Sequence, residues 1–392
     1  MLPWLAVLLL FAAARTLPGG RPRGFFLLLT AVSPLSMLYA GEARAYALLA
    51  LFDLALFLLA TREPARTRDL VATAIVSALA VWTHYLALFF IAALVLACLA
   101  AGRRRSCAAL AAGAALSLPW LPILLRQPRE ATAWMREPAM NSAFGFLSAL
   151  GGAGRIPPPF GPPLPRTLLW IAAGAAIALI AATAAAWRAD PRIRIGSAAV
   201  LLTLGGALAV SPFRPVAFAG RTEMAVLPVW LWVIARAAGA RRPVRWIAAG
   251  AAGVAAAACL LVLRGAPRNP PVQAVMLGHL ENAANARDTV VAGPTFYVRA
   301  RLASDRGMLA GRLEAFPADL AEHPGWFVPR PPPEPEYALL ARRLAHAPGP
   351  RALLLLDTPY WTPRLKETLL SVGTVQILDE RPRAVLIQFT RR

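Results

Sequence analysis

Charge is scarce in this sequence, and negative charge is scarcer still. Only 16% of the 392 residues are charged, against roughly 25% in an ordinary soluble domain. The 20 acidic residues are outnumbered by 41 basic ones, and Lys366 is the single lysine beside 40 arginines. Cysteine is nearly missing too. Cys98, Cys107 and Cys259 all lie in or beside apolar runs, which excludes a disulfide framework in the tail and any Cys/His metal spacing. Core packing is their expected role. So little charge excludes an ordinary soluble enzyme and a disordered basic chain.

Apolar residues are abundant instead, at 58% of the chain. They come in runs of about 15 to 20, the length that crosses a bilayer. The formal net charge of +21 invites a nucleic-acid reading. However, so many arginines beside abundant Ala, Gly and Pro resemble the codon bias of a GC-rich genome, and no nucleic-acid partner is expected. The residues before 265 carry +17 and the tail carries +4, so the charge belongs to the apolar part.

Ten apolar runs fall at roughly 1–14, 25–40, 45–60, 70–84, 86–102, 106–125, 167–187, 195–213, 222–239 and 246–264. Residues 70–102 as one helix would span about 50 Å, too long for a hydrocarbon core of about 30 Å. Both flanks are basic, so an even number of crossings is required, and Thr83-His84-Tyr85 reads as a tight turn. One alternating set of loops holds Arg15, Arg21 and Arg23; Arg62, Arg66 and Arg68; Arg103 to Arg105; Arg188, Arg192 and Arg194; and Arg236, Arg241, Arg242 and Arg245. These 16 arginines meet only Glu63, Asp69 and Asp190, while the opposite short loops hold Arg44, Arg214 and Arg221. The positive-inside rule puts the first set in the cytoplasm. The N-terminus, the Pro- and Gly-rich loop 126–166 and the tail then lie outside. The first run lacks a basic n-region and is read as a membrane helix entered from outside rather than as a signal peptide.

From residue 265 the composition becomes that of a soluble domain. Strands are expected at 288–294, 351–357, 374–378 and 384–389, with helical spacing at 337–345 and 363–370 and a proline-rich surface loop at 329–335. The expected architecture is an α-helical polytopic membrane protein of about ten transmembrane helices over 1–264. A small extracytoplasmic α/β domain would occupy 265–392.

Polar residues at the external membrane boundary come from three loops: Glu42, Arg44 and Tyr46; His84 and Tyr85; Arg221 and Glu223. Polar groups at that depth are expensive and often mark a substrate path. A pair such as Arg44 and Arg221 suits phosphate, because guanidinium binds it bidentately. A carboxylate could orient a metal, a hydroxyl or a nucleophile. Each residue also has a bland reading. Glu42 and Arg44 would cap a helix start, His84 would be an interfacial hydrogen bonder, and Tyr85 would join an aromatic belt. Arg221 and Glu223 would form an exposed ion pair, Asp53 would make a helix–helix hydrogen bond, and Trp120 would anchor the interface.

The segment Ala31-Val-Ser-Pro-Leu-Ser-Met-Leu-Tyr-Ala-Gly-Glu-Ala-Arg-Ala-Tyr46 resembles one found in bacterial membrane glycosyltransferases of the C superfamily. The similar group is glycosyltransferase family 39 with its mannosyltransferase-like relatives. Glu42, Arg44 and Tyr46 match the family's Gln-Glu-Ala-Arg-x-Tyr block, with Gly41 in place of Gln. Trp82-Thr-His-Tyr85 is similar to its Thr-His-Tyr turn. Gly220-Arg-Thr-Glu-Met-Ala-Val-Leu-Pro228 resembles its Arg-Tyr segment, with Thr222 in the Tyr place. The resemblance implies sugar transfer in the cell membrane, from a polyprenyl-phosphate donor to an external acceptor (protein, lipid or glycan). Glu42 and His84 would be catalytic, and Arg44, Tyr46, Tyr85, Arg221 and Glu223 would bind substrate; a divalent metal is left open. In the family the key acid sits in the first external loop, and nothing before Glu42 is acidic. The expectation is a copy that begins two helices later and lacks that loop. Two other classes stay open: a transporter or lipid flippase, for which only Asp53 speaks, and a noncatalytic scaffold presenting the tail.

Overall fold

The computed structural model describes residues 10–41, 45–63, 65–120, 122, 126, 136–156, 163–188, 190–265, 272–321, 332 and 334–392. The chain divides into two compact units, Met1–Ala266 and Pro267–Arg392.

In the first unit residues 10–15 are helical. They are followed by α1 (Gly20–Val32), α2 (Pro34–Gly41), α3 (Tyr46–Ala60), α4 (Thr67–Thr83), α5 (Leu86–Ala100) and α6 (Arg104–Ala115). Next come α7 (Ala139–Leu150), α8 (Arg166–Ala184), α9 (Pro191–Val210), α10 (Leu227–Ala240) and α11 (Arg242–Gly265). Two expectations are corrected here. The run at 25–40 breaks into two helices because Pro34 lacks the N–H that would continue the first. Loop 126–166 contains a helix, α7, whose Ser142, Gly145, Phe146, Ser148, Ala149 and Leu150 are buried.

Among the described residues, α8, α9 and Arg242–Arg264 of α11 are long and apolar enough to cross a membrane, while α3, α5, α7 and α10 are apolar but shorter. Helices of 12 to 15 residues rise only about 18–23 Å. The expected ten crossings are therefore not all carried by full-length helices. Short 3-10 turns at Leu118–Trp120 and Thr222–Ala225 take up part of the runs assigned to crossings.

Helix backbones in this unit approach one another through small residues. A Cβ added to Gly113 of α6 would stand 2.1 Å from the Ala74 carbonyl oxygen of α4, and one on Gly151 would stand 1.8 Å from the Ala172 carbonyl of α8. Gly196 of α9 makes room for Phe57 and Val233. Lipid tails are as apolar as leucine, so close packing of this kind replaces hydrophobic burial as the adhesive force. Ser77 adds a hydrogen bond to the Leu110 carbonyl at 2.9 Å.

The arginine-rich loops meet at one end of this unit. Arg103 donates to the carbonyls of Ala60 and Arg62 and pairs with Glu63, and Arg192 Nε donates to Thr61 O at 3.1 Å. Arg236 pairs with Asp190, which caps α9 by accepting the Arg192 N–H at 2.9 Å. Asp53 departs from its expected role. It is fully buried, and neither carboxylate oxygen has a hydrogen-bond partner among the described residues.

The second unit is a five-stranded sheet between two helical layers. Its strands are β1 (Thr289–Ala292), β2 (Arg312–Ala315), β3 (Arg351–Asp357), β4 (Gly373–Arg381) and β5 (Ala384–Arg391), in the order β2-β1-β3-β5-β4. β1 runs parallel to β2 and β3, while β5 runs antiparallel to β3 and β4. Alternation along β3 feeds both faces. Leu353 and Leu355 pack with α12 (Val272–Ala283) and α13 (Pro294–Asp305). Leu354 and Leu356 pack with α14 (Glu334–Ala345) and α15 (Pro363–Leu370). β2, α12 and α13 carry too little periodic pattern to be foreseen from sequence; β2 is short and half-exposed. At the base, Arg351 joins Asp288 to the Ala283 carbonyl through bonds of 3.1 and 2.9 Å. The Asp288 carboxylate holds the Arg351 guanidinium even more firmly protonated than usual.

Asp379 accepts from His279 at 2.7 Å and from Arg381 at 3.1 Å. Burial alone would raise its pKa, but these bonds and the two neighbouring charges hold it below the ordinary carboxylate value. A depressed carboxylate contributes stability above its unfolded pKa of about 3.9 and loses it as pH falls through the folded value. Asp379→Asn should therefore flatten the acid side of the second unit's stability profile and leave pH 7 less stable, as read by pulse proteolysis of the full chain. In the first unit, Gly113→Val should destabilise the detergent-solubilised protein by about 1–3 kcal/mol, measured by thermal unfolding, because the Ala74 carbonyl cannot yield.

Candidate functional site

α4 and α5 are joined by the expected tight turn at His84-Tyr85, where α4 ends at Thr83 and α5 starts at Leu86. His84 leaves the helical conformation with φ −162° and ψ 135°. Its Nδ1 lies 3.2 Å from the Leu86 N–H and accepts from it. In the neutral ring the proton then sits on Nε2, so His84 offers a donor to anything that approaches.

Three aromatic residues gather around this turn. Tyr46, the first residue of α3, has its ring centroid 5.0 Å from that of His84, and the Tyr85 centroid lies 4.5 Å from His84. Tyr39 of α2 stands 5.1 Å from Tyr46. Tyr39 is buried and donates its hydroxyl to the Gly220 carbonyl at 2.5 Å, which ties α2 to the segment before α10. Arg221 stands within electrostatic reach of His84 and Tyr85, and Arg214 within reach of Tyr85. Arg221 is half-buried, with its guanidinium 5.4 Å from the Phe218 ring centroid.

The segment carrying Arg221 is held by its own side chains. Thr222 Oγ1 donates to the Val216 carbonyl at 3.0 Å and accepts the Phe218 N–H at 2.9 Å. Both Glu223 oxygens accept from the Gly220 N–H, at 3.0 and 2.9 Å. Gly220 itself has φ +91°, a conformation that favours glycine. Glu223 is fully buried, which rules out the exposed ion pair and gives this carboxylate a part in building the turn. α7 braces the segment from outside. Ser142 Oγ lies 3.2 Å from the Ala217 carbonyl and 3.3 Å from Glu137, which pairs with Arg155. The Arg155 charge also reaches Glu223.

The structure thus brings together four of the predicted residues, Tyr46, His84, Tyr85 and Arg221, and places Glu223 within the supporting turn. Glu42 and Arg44 lie outside the described residues. Sequence reasoning missed Tyr39, Arg214, Phe218 and the α7 brace. No periodic signal links Tyr39 to Tyr46, because the two residues belong to different helices.

The geometry of these helices matches solved structures. The chain resembles the crystal structure of ArnT from Cupriavidus metallidurans bound to undecaprenyl phosphate, with a TM-score of 0.59 at 12% identity over 98% of this chain and 82% of that one. It also resembles ArnT from the same organism in the apo state, with a TM-score of 0.55 at 13% identity and the same coverage. The fold is ArnT-like. At this identity the likeness speaks for the fold alone and does not single out glycosyltransferase family 39. No protein-family model and no curated protein matches the chain. Among the described residues no group of three or more His, Cys, Asp and Glu side chains is arranged to hold a metal ion.

Beside Tyr85 a mainly apolar niche of about 80 Å³ is lined by Val81, Leu88, Ala114, Ser117, Leu118 and Trp120. An apolar recess thus opens beside the His84-Tyr85 turn. Tyr39→Phe should leave the Gly220 carbonyl short of its buried donor and lower stability by about 1–3 kcal/mol. Thermal unfolding in detergent reads the loss, and accelerated proteolysis near residue 220 locates it.

Proposed function

We propose that this chain is a membrane glycosyltransferase that moves a sugar from a polyprenyl-phosphate donor to an acceptor at the Tyr46–His84–Tyr85–Arg221 cluster. The observation that carries the reading is the convergence of the segment bearing Arg221 with Tyr46 and the His84 turn: Tyr39 bonds the Gly220 carbonyl and lies against Tyr46, which in turn lies against His84. In the direct displacement, the acceptor hydroxyl oxygen bonds to the anomeric carbon and the carbon–oxygen bond to phosphate breaks. The phosphate leaves with the electron pair, and a base takes the hydroxyl proton.

Negative charge then grows on the leaving phosphate, where a fixed guanidinium in a water-poor site is most effective. Arg221, braced by Thr222 and Glu223, suits that task, and Arg44, two residues before Tyr46 in the chain, would share it. His84 presents Nε2–H to a phosphate or sugar oxygen, while Glu42 would orient the acceptor or a divalent metal. The apolar niche beside Tyr85 suits an isoprene chain. ArnT was crystallised with undecaprenyl phosphate, and this supports a lipid of that class here. The same reading includes a topology of about ten crossings, arginine-rich loops in the cytoplasm of a bacterial cell, and an extracytoplasmic α/β domain over 265–392 that shapes the acceptor site.

One observation favours a different class. The buried Asp53 carboxylate, without a hydrogen-bond partner among the described residues, is the kind of intramembrane acid that transporters use. Turnover of radiolabelled undecaprenyl-phosphate sugar in membranes separates the two. Arg221→Ala should lower label transfer about 100-fold or more, and Arg221→Lys should keep part of it as a point charge. Unchanged transfer in Arg221→Ala would sink the assignment. Uptake into sealed vesicles without label transfer, lost in Asp53→Asn, would establish the transporter instead.

A further inference from the structure

The arginine-rich end of the first unit holds a cavity of about 580 Å³ whose lining residues are all different from those of the Tyr46–His84 cluster. This falls within the range of roughly 300–1,000 Å³ typical of small-ligand sites. It lies among the first turn of α1, the last turn of α10, the start of α9 and the first turn of α11. Arg21, Arg236 and Arg245 line it, and Asp190 is the only acid among its lining residues. That acid is already engaged by the Arg236 side chain and the Arg192 N–H. Three guanidinium groups against one carboxylate leave the lining with two net positive charges.

The arginines differ in freedom. Arg236 is held against Asp190 and over the Trp232 ring, 5.3 Å from its centroid. Arg245 donates its Nε to the Ala238 carbonyl at 3.2 Å, and its terminal nitrogens make no hydrogen bond or ion pair among the described residues. Arg21 is exposed and makes no hydrogen bond or ion pair among the described residues. A Cβ on Gly19 or Gly20 would meet nothing, so the wall beside Arg21 is open, while Gly239 closes the floor against Pro22, where an added Cβ would stand 2.7 Å away. Immediately after Arg245, Trp246 is 68% exposed, and Leu28 of α1 is 49% exposed. An exposed tryptophan beside arginines belongs at the depth of lipid headgroups.

We infer that this cavity binds the phosphate-bearing headgroup of an anionic membrane lipid. Arg21 and Arg245 would clamp the phosphate bidentately, and the chains would lie along the apolar surface beside Trp246. A free phosphate shares the headgroup chemistry and lacks the chains. The inference rests on the chain being a membrane protein and is independent of sugar transfer.

Native mass spectrometry of the full chain from detergent micelles tests it, with added phosphatidylglycerol or phosphatidylcholine and with inorganic phosphate as competitor. Phosphatidylglycerol should be retained in preference to phosphatidylcholine. Arg21→Gln with Arg245→Gln should weaken that retention about tenfold. Arg68→Gln with Arg104→Gln, which remove exposed arginines outside the cavity, should leave it unchanged. Arg21→Gln alone removes no hydrogen bond or ion pair among the described residues, so a weakened retention in this folded variant supports the site. Equal loss in both double variants would reduce the effect to general surface charge and overturn the inference. Unchanged retention in Arg21→Gln, or full displacement by millimolar inorganic phosphate, would overturn it as well, the latter in favour of a soluble anion.

Discussion

Gly113 against the Ala74 carbonyl, Gly151 against Ala172 and Gly196 against Phe57 and Val233 are the contacts on which the first unit depends. In a bilayer there is no water to expel from between two apolar helices. Association then relies on close van der Waals contact, which only small residues permit. The alanine- and glycine-rich composition is thus more than a genomic habit. It lets backbones meet, and where backbones meet their ends are brought into fixed relation.

Those ends have been used differently. At one end, arginines reach the terminal carbonyls of neighbouring helices, as Arg103 does at Ala60 and Arg192 at Thr61. A cation there answers both the unpaired carbonyls and the negative end of the helix dipole. At the other end the polar groups face inward. Tyr39 holds the Gly220 carbonyl, Glu223 folds back on the Gly220 N–H, and Arg221 is left beside the His84 turn. A buried carboxylate spent on two backbone bonds makes sense as the stiffener of a short turn that must present a cation without moving.

How much of this was legible can be judged from particular residues. The His84-Tyr85 turn followed from arithmetic on helix rise and flanking charge, and it stands where that arithmetic put it. The β3 strand was plain from Leu353 to Leu356, since four apolar residues in a row suit a strand buried on both faces. Helix α7 was not legible. Its sequence, Ala-Met-Asn-Ser-Ala-Phe-Gly-Phe-Leu, lies between proline-rich stretches, and its helicity depends on burying Phe146 and Leu150 against other helices. The burial of Glu223 was equally hidden, because a Glu two residues after an Arg reads as a surface pair until the turn around it is seen.

By itself the sequence determined the apolar, helical character of the residues before 265 and the gathering of arginine in alternate loops. Both follow from sums over many residues, the apolar run lengths and the arginine count of alternate loops, which no local rearrangement can reverse. Only the tertiary structure decided which polar residues share a site. Tyr39, Tyr46, His84 and Arg221 are separated by up to 182 positions, and they come together only where α2, α3, the His84 turn and the segment before α10 pack against one another. The same holds for Arg21 and Arg245. As sequence they are two more topogenic arginines, and they form a charged cavity because α1 and α10 close at Pro22 and Gly239.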